Sequence, residues 1–447
     1  MKATARSINW PLVALITEGF LSRLSFGLIS FALPLYAYHL GMKLTEIGIL
    51  SSVNLVAALA LKPVMGWLAD RFGFKRSFTA AAGLRSLVSL LLALARSPWQ
   101  LFAIRSVYGV SQSLRDPALN ALLAEHGGEK GIASAFGWYS TAKSVAGSLG
   151  SAVAGILLTL TGSNFSLVFA VAFLLSVLPL FVVRRYVQEH STRRDPATDG
   201  DATSPAAPPI QDIPAPATSP RTSRRDVVSY VGLGVLISGT AQMLRGLLPI
   251  LATQYAHLTE AQTGVIYTVS SLVVIVSGPL FGWLSDNVSQ TLVLTVRSIA
   301  NTVSSLFFVA FPNLLGISVG KAVDDLGKAA FKPAWGALMT DVSRLDRKRR
   351  GQTIGWMSTA EDAGEIGGPI LAGLIWNTWG IPTVMGVRVL LAIGTEVYTS
   401  ILMASLKRRR ELELHRMPMR LPDDGRDGLG EDGKPVLDRC SATSAPG

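Results

Sequence analysis

Lys62-Pro63-Val64-Met65-Gly66-Trp67-Leu68-Ala69-Asp70 returns 216 residues later as Gly278-Pro279-Leu280-Phe281-Gly282-Trp283-Leu284-Ser285-Asp286. The match then continues at the same offset. Asp116-Pro117-Ala118-Leu119-Asn120-Ala121-Leu122 finds its counterpart in Lys332-Pro333-Ala334-Trp335-Gly336-Ala337-Leu338, and Glu125 pairs with Asp341. Further on, Gly137-Trp138-Tyr139-Ser140-Thr141-Ala142 matches Gly355-Trp356-Met357-Ser358-Thr359-Ala360, with the offset grown by two. One paragraph of sequence is thus written twice in the same direction. In an apolar chain, such a parallel repeat predicts two like-oriented halves with a site between them.

The chain of 447 residues is long enough for several soluble domains, but a mean hydropathy of +0.39 argues against them. Apolar runs of about 20 residues recur along it, each able to cross a hydrocarbon layer about 30 Å thick. Soluble helices would show narrow apolar stripes on otherwise charged surfaces. Twelve spans are expected, at about 11–38, 45–69, 77–96, 99–124, 132–160, 165–185, 227–254, 262–285, 291–311, 314–341, 353–376 and 382–405. The first contains Glu18 and Arg23 and runs too long for a cleaved signal peptide. The expected organisation is a six-helix bundle over 1–186, a linker over 187–226, a second bundle over 227–405 and a tail over 406–447. Linker and tail are rich in Pro, Ser, Thr and charge, a composition that builds no core.

A net charge of +11 raises the question of nucleic acid. The cations instead gather in alternate loops, after spans two, four, six, ten and twelve, so nucleic-acid binding is not expected. By the positive-inside rule both termini and the linker are expected on the cytoplasmic side of an inner membrane. The one cysteine, Cys440, lies in the tail, so no Cys-based site or disulfide framework exists within one chain. The five histidines fall in loops, span ends and tails, which leaves no imidazole relay within the spans. No phosphate-cradling Gly-rich loop ending in Gly-Lys-Ser/Thr is present, and no nucleophile–base pair or cofactor motif suggests an enzyme.

Gly66-Trp67-Leu68-Ala69-Asp70-Arg71-Phe72-Gly73-Phe74-Lys75-Arg76 resembles the loop signature of the major facilitator superfamily, Gly-x-Leu-x-Asp-Arg-x-Gly-Arg-Lys. The resemblance implies an all-α membrane protein with 12 transmembrane helices in two pseudo-symmetric six-helix halves. It also implies gating roles for Gly66, Asp70, Arg71, Gly73, Lys75 and Arg76, with Gly282 and Asp286 as a degenerate second copy. Gly364-Glu365-Ile366-Gly367-Gly368-Pro369-Ile370-Leu371-Ala372-Gly373 resembles the same superfamily's antiporter motif, but stands in span eleven instead of span five. Close helix packing with a proline bend explains it equally well, so antiport does not follow.

Charged side chains inside spans are expensive and mark sites. Near the expected midplane stand Glu18, Arg23, Arg115, Asp116, Lys143, Arg245, Asp324, Asp325, Lys328, Glu361, Asp362 and Glu365, with Lys321, Arg388 and Glu396 beside them. Glu361 and Glu365 are four residues apart and share a helix face; so do Lys321, Asp324, Asp325 and Lys328. A carboxylate among them is a candidate proton carrier or oxygen ligand for a hard divalent cation. The basic set around Arg23, Arg115 and Lys143 suits an anion, or ion pairs that switch. Structural pairing of these acids and bases is the competing reading.

Leu21 to Gly27, Ala32 to Gly41, Ser113 to Gly127 and Ala360 to Pro369 resemble magnetosome-associated facilitators of the MamH type. That resemblance implies iron supply to a magnetite-forming vesicle derived from the inner membrane. The expected function is a secondary-active transporter working by alternating access, proton-linked or facilitative, with iron as candidate substrate. No cofactor is expected, and the residues leave any metal unassigned. Efflux of small organic anions or drugs is the alternative within transport. A membrane adaptor recruiting protein partners through linker or tail is the alternative outside it.

Overall fold

The apolar runs of the sequence become helices because a chain without water must satisfy its amides within each segment. The computed structural model describes residues 10–127, 132–186, 224–287, 290–344 and 350–416. Among them the regular structure is helical: α1 (Trp10–His39), α2 (Leu44–Phe72), α3 (Phe74–Leu94), α4 (Pro98–Gly127), α5 (Ile132–Leu160), α6 (Phe165–Tyr186), α7 (Arg224–Gln242), α8 (Leu248–Ile250), a π-helical turn (Leu251–Tyr255), α9 (Glu260–Asn287), α10 (Gln290–Ala310), α11 (Leu314–Arg344), α12 (Arg350–Trp379) and α13 (Ile381–Arg416).

Eleven of the expected spans appear as single helices, and span seven is corrected. Instead of one helix over 227–254, α7 stops at Gln242; five residues of turn follow before α8 and the π turn. Gly246 takes φ +74° within that break, and Ser51 of α2 packs directly against it. Two boundaries also move. Arg224 to Asp226, assigned to the linker, open α7, and the tail's first residues, 406–416, continue α13. The rest of linker and tail lies outside the described residues.

Seven described helices are long and apolar enough to cross a membrane by length and composition: α1, α2, α3, α5, α6, α9 and α13. α4, α11 and α12 have the length but carry the intramembrane charges that lower their hydropathy.

Residues 1–400 form one compact unit, and Ile401–Gly447 a second, whose described part is the end of α13. Inside the first, α1 packs on α5 and α6, α4 on α2 and α3, α7 on α12, and α11 on α9 and α10. Glycines let the paired helices touch. A Cβ on Gly27 would overlap the Gly147 carbonyl oxygen of α5, and one on Gly368 would overlap the α7 backbone at Gly239. The antiporter-like run of α12 therefore serves close packing, the plainer of its two readings.

α5–α9 and α2–α12 contacts join the residues before 187 to those after 223. Ala261 N donates to Thr159 Oγ1 at 2.9 Å, Ser163 Oγ to Glu260 Oε1 at 2.9 Å, and Ser52 Oγ to the Ile366 carbonyl at 2.8 Å. Thr45 to Gly373 and Thr268 to Ser148 complete the described hydrogen bonds across this seam. All lie toward the end that holds the 40–43, 161–164 and 256–259 connections. Toward the opposite end, Gly66 has no atom within 4 Å of where a Cβ would stand.

Candidate functional site

Between the seams lies a cavity of about 600 Å³ lined from α1, α2, α4, α5, the α7 break, α9, α11 and α12. A smaller lobe of about 90 Å³ lies among residues of α1, α2, α3, α4 and α5. Arg23, Phe26, Lys143 and Arg245 line both. Together the two lobes carry eight cationic side chains against three carboxylates, Asp116, Asp324 and Glu365.

The charges sort into tied and untied sets. Glu18, fully buried on α1, accepts from Arg115 Nη2 of α4 at 2.9 Å, and the same nitrogen donates to Tyr139 OH at 2.7 Å. A Cβ on Gly19 would overlap the Tyr139 ring, so this glycine makes room for the triad. On α11, Asp324 holds Lys328 at 2.6 Å and Arg388 of α13, while Lys321 pairs with Asp325. Arg245, in the α7 break, reaches Glu365 Oε2 at 2.7 Å, and Gln242 Nε2 lies 3.4 Å from Glu365 Oε1.

The untied cations are Arg23, Arg85, Arg105 and Lys143; among the described residues none has a carboxylate at ion-pair distance. Neutral partners hold them instead. Phe26 and Tyr108 stack with ring centroids 5.3 Å apart, and Arg23 lies 4.7 Å from the Phe26 centroid. Arg85 flanks both rings and Arg105 lies 5.4 Å from Tyr108. Arg85 Nη1 donates to Ser22 Oγ at 2.8 Å, and Arg105 Nη2 to Asn54 Oδ1 at 2.7 Å. Lys143 lies 5.2 Å from the Tyr139 ring. Rings and neutral oxygens orient these cations without neutralising them.

Of the residues singled out from sequence, Arg23, Arg115, Asp116, Lys143, Arg245, Asp324, Lys328 and Glu365 line the cavity lobes. Glu18, Asp325, Glu361 and Asp362 are not among the residues lining these two lobes. Glu361 stands a turn before Glu365, where α12 lies against α7 and the Glu361 carbonyl accepts from Ser238 Oγ. Glu18 is consumed by Arg115. In the gating motif, Arg71 is exposed and lies 5.3 Å from the Trp67 ring, and Gly73 takes φ +90° between α2 and α3. Lys75 is half-buried and Arg76 exposed. The side chains of Asp70 and Asp286, and the surroundings of Gly282, lie outside the described residues.

Two lining cations escaped the sequence reading, Arg85 and Arg105. The rule of intramembrane charge applies to both, and the repeat gives a second signal for one. At the 216 offset, Arg105, Tyr108 and Gln112 stand opposite Lys321, Asp324 and Lys328, and all six line the lobes. Among the described residues, no group of three or more His, Cys, Asp or Glu side chains could hold a metal.

The profile of the Major Facilitator Superfamily matches this chain twice, over residues 16–233 and 230–416. The chain is 24% identical over 412 residues to multidrug resistance protein MdtG of Erwinia billingiae (strain Eb661), covering 90% of this chain and 96% of that one. Among solved structures, the nucleoside transporter NupG superposes with a TM-score of 0.66 at 15% identity, covering 89% of this chain and 99% of that chain. A structure described for proton dependent oligopeptide transporters gives a TM-score of 0.68 at 16% identity, covering 90% and 99%.

Proposed function

The chain belongs to the major facilitator superfamily, and from that premise we propose that it is a secondary transporter carrying a small organic anion by alternating access. The observation that carries this reading is the untied cation set Arg23, Arg85, Arg105 and Lys143 around the Phe26–Tyr108 stack. Cations placed in a cavity with no carboxylate at ion-pair distance are expensive unless a ligand supplies the charge. A carboxylate or phosphate group meets both guanidinium forks and ring edges there.

The names of the relatives point to organic solutes, which agrees with a cavity of this size. The iron reading takes a narrower form. A bare divalent cation needs several oxygen ligands, and Asp324 and Glu365 are already engaged by Lys328, Arg388 and Arg245. Iron suits this cavity as an anionic chelate, the form in which the magnetosome resemblance would be served. Glu365 is the carboxylate proposed for proton coupling, since one guanidinium and one amide are its described partners. The two bundles move about the cavity as units. With the termini cytoplasmic, as the loop charges predict, the seam contacts close the outer side of an inner membrane. The Gly66–Arg76 stretch acts at the other side.

The test is binding of organic anions to purified protein, read by calorimetry against matched neutral and cationic compounds. Arg23→Gln and Arg105→Gln each remove a charge-assisted contact worth about 1.5–3 kcal/mol, a loss of about 10- to 100-fold in affinity. Preference for cations, or affinity unchanged in both variants, rejects the anion reading.

A further inference from the structure

Arg297 of α10 is 3% exposed, and its Nε, Nη1 and Nη2 atoms have no hydrogen-bond acceptor among the described residues. Its nearest counter-charge, Asp324 Oδ1, stands 3.6 Å away. That carboxylate is already taken: Lys328 holds one oxygen at 2.6 Å and Arg388 the other. Arg388, by contrast, is fully served, donating also to the Thr240 carbonyl, Ser304 Oγ and Ser305 Oγ. One turn along α10, on the same face, Asn301 is 1% exposed, and both Nδ2 and Oδ1 lack partners. Gly327 of α11 faces Arg297 with no side chain; a Cβ there would stand 2.8 Å from Nη1.

We propose that Arg297 and Asn301 form a buried site for a small monovalent anion, a halide, separate from the solute cavity. Donors and acceptors decide between ion and water. Four nitrogens lack acceptors and one oxygen lacks a donor. Water brings both in equal measure and no charge, whereas an anion brings only acceptance. Charge gives the same answer. Among the described residues, Arg297, Arg388, Lys328 and Lys321 face only two carboxylates at ion-pair distance, Asp324 and Asp325, so positive charge is left over in this cluster. Geometry limits the size. Side chains four residues apart on a helix stand about 5–6 Å apart at Cβ, a span for one bridging ion and too short for an organic molecule. Neither Arg297 nor Asn301 lines the solute cavity. With the anion bound, Arg297 has its own partner and leaves Asp324 to Lys328. Without it, Arg297 competes for Asp324 and loosens Lys328 at the cavity wall.

The full chain, purified in detergent, is unfolded thermally in sodium chloride, bromide and gluconate at matched ionic strength. A ligand that binds only the folded state raises Tm saturably with its concentration. Chloride and bromide are expected to raise Tm by about 2–4 °C over gluconate, and Arg297→Gln to lose that response. Asn301→Ala, which keeps the guanidinium, is expected to shift the halide midpoint by about 10-fold, one charge-assisted hydrogen bond. Crystals grown in bromide are expected to show an anomalous peak between the two side chains. Identical melting in gluconate and halide, or a water peak without anomalous signal, overturns the proposal.

Discussion

Two arginines on neighbouring helices have opposite fates. Arg115 is consumed by Glu18 and Tyr139, while Arg23 has an aromatic face and no described carboxylate. Removing one partner of a buried pair strands the other, at roughly 3–5 kcal/mol. Glu18→Gln is therefore expected to lower thermal stability sharply, and the double change Glu18→Leu with Arg115→Met to recover most of it. If the single variant melts like wild type, the pair is not buried as described. Arg23→Gln is expected to leave Tm unchanged or raised while losing anion affinity, because no native ion pair is broken. Arg245→Gln falls between: it frees Glu365, and loss of proton-driven uptake with exchange retained is the outcome expected of a coupling pair. Retained proton dependence in Arg245→Gln and Glu365→Gln together would assign coupling elsewhere.

Helix α7 ends inside a run that is apolar on both sides of the break. Met243-Leu244-Arg245-Gly246-Leu247 reads as an ordinary apolar stretch with one cation, and only the glycine marks a break. Gly246→Ala is expected to cost about 1–2 kcal/mol for a left-handed alanine, plus the overlap with Ser51 Oγ. Adding Ser51→Ala should return the second part and not the first; full recovery would mean that the backbone strain is absent. Some helices are legible in the sequence and others are not. Helices such as α5 and α6 follow from apolar runs alone, within a residue of expectation. The α7 break has local marks that the apolar run masks, Gly246 in a left-handed conformation and Pro249 at the start of α8, which has no N–H to continue the helix; the Ser51 contact that closes over Gly246 is remote in sequence. In the site, Arg23, Lys143, Arg245 and Glu365 stood out because charge within a span is costly anywhere. Glu361 stood out equally, but only Glu365 of the two lines the described lobes, since which turn of α12 meets the cavity is set by its packing against α7. Arg85 and Arg105 were readable by the same cost and were passed over in spans three and four.

Across the molecule, the described hydrogen bonds between the repeat halves gather at one end, and alternating access requires them to part. Thr159 and Ala261 meet there through a hydrogen bond of 2.9 Å. Cysteines at both positions, in a Cys440→Ser background, are expected to cross-link under oxidation and stop transport, with reductant restoring it. Full transport by the cross-linked protein would show that this seam never opens. Since Cys440 is the native chain's one thiol, the background is clean after a single change.

The surplus of positive charge around the cavity has a consequence for voltage. Moving one elementary charge through a full membrane potential of 100 mV involves about 2.3 kcal/mol. An anion bound to Arg23, Arg85, Arg105 and Lys143 cancels part of the charge that travels with the cavity. The empty carrier carries it uncancelled. On the anion reading proposed above, the electric field bears harder on the return of the empty protein than on the passage of the loaded one, and holds unoccupied molecules with their cavity facing the negative side, ready for the next anion found there.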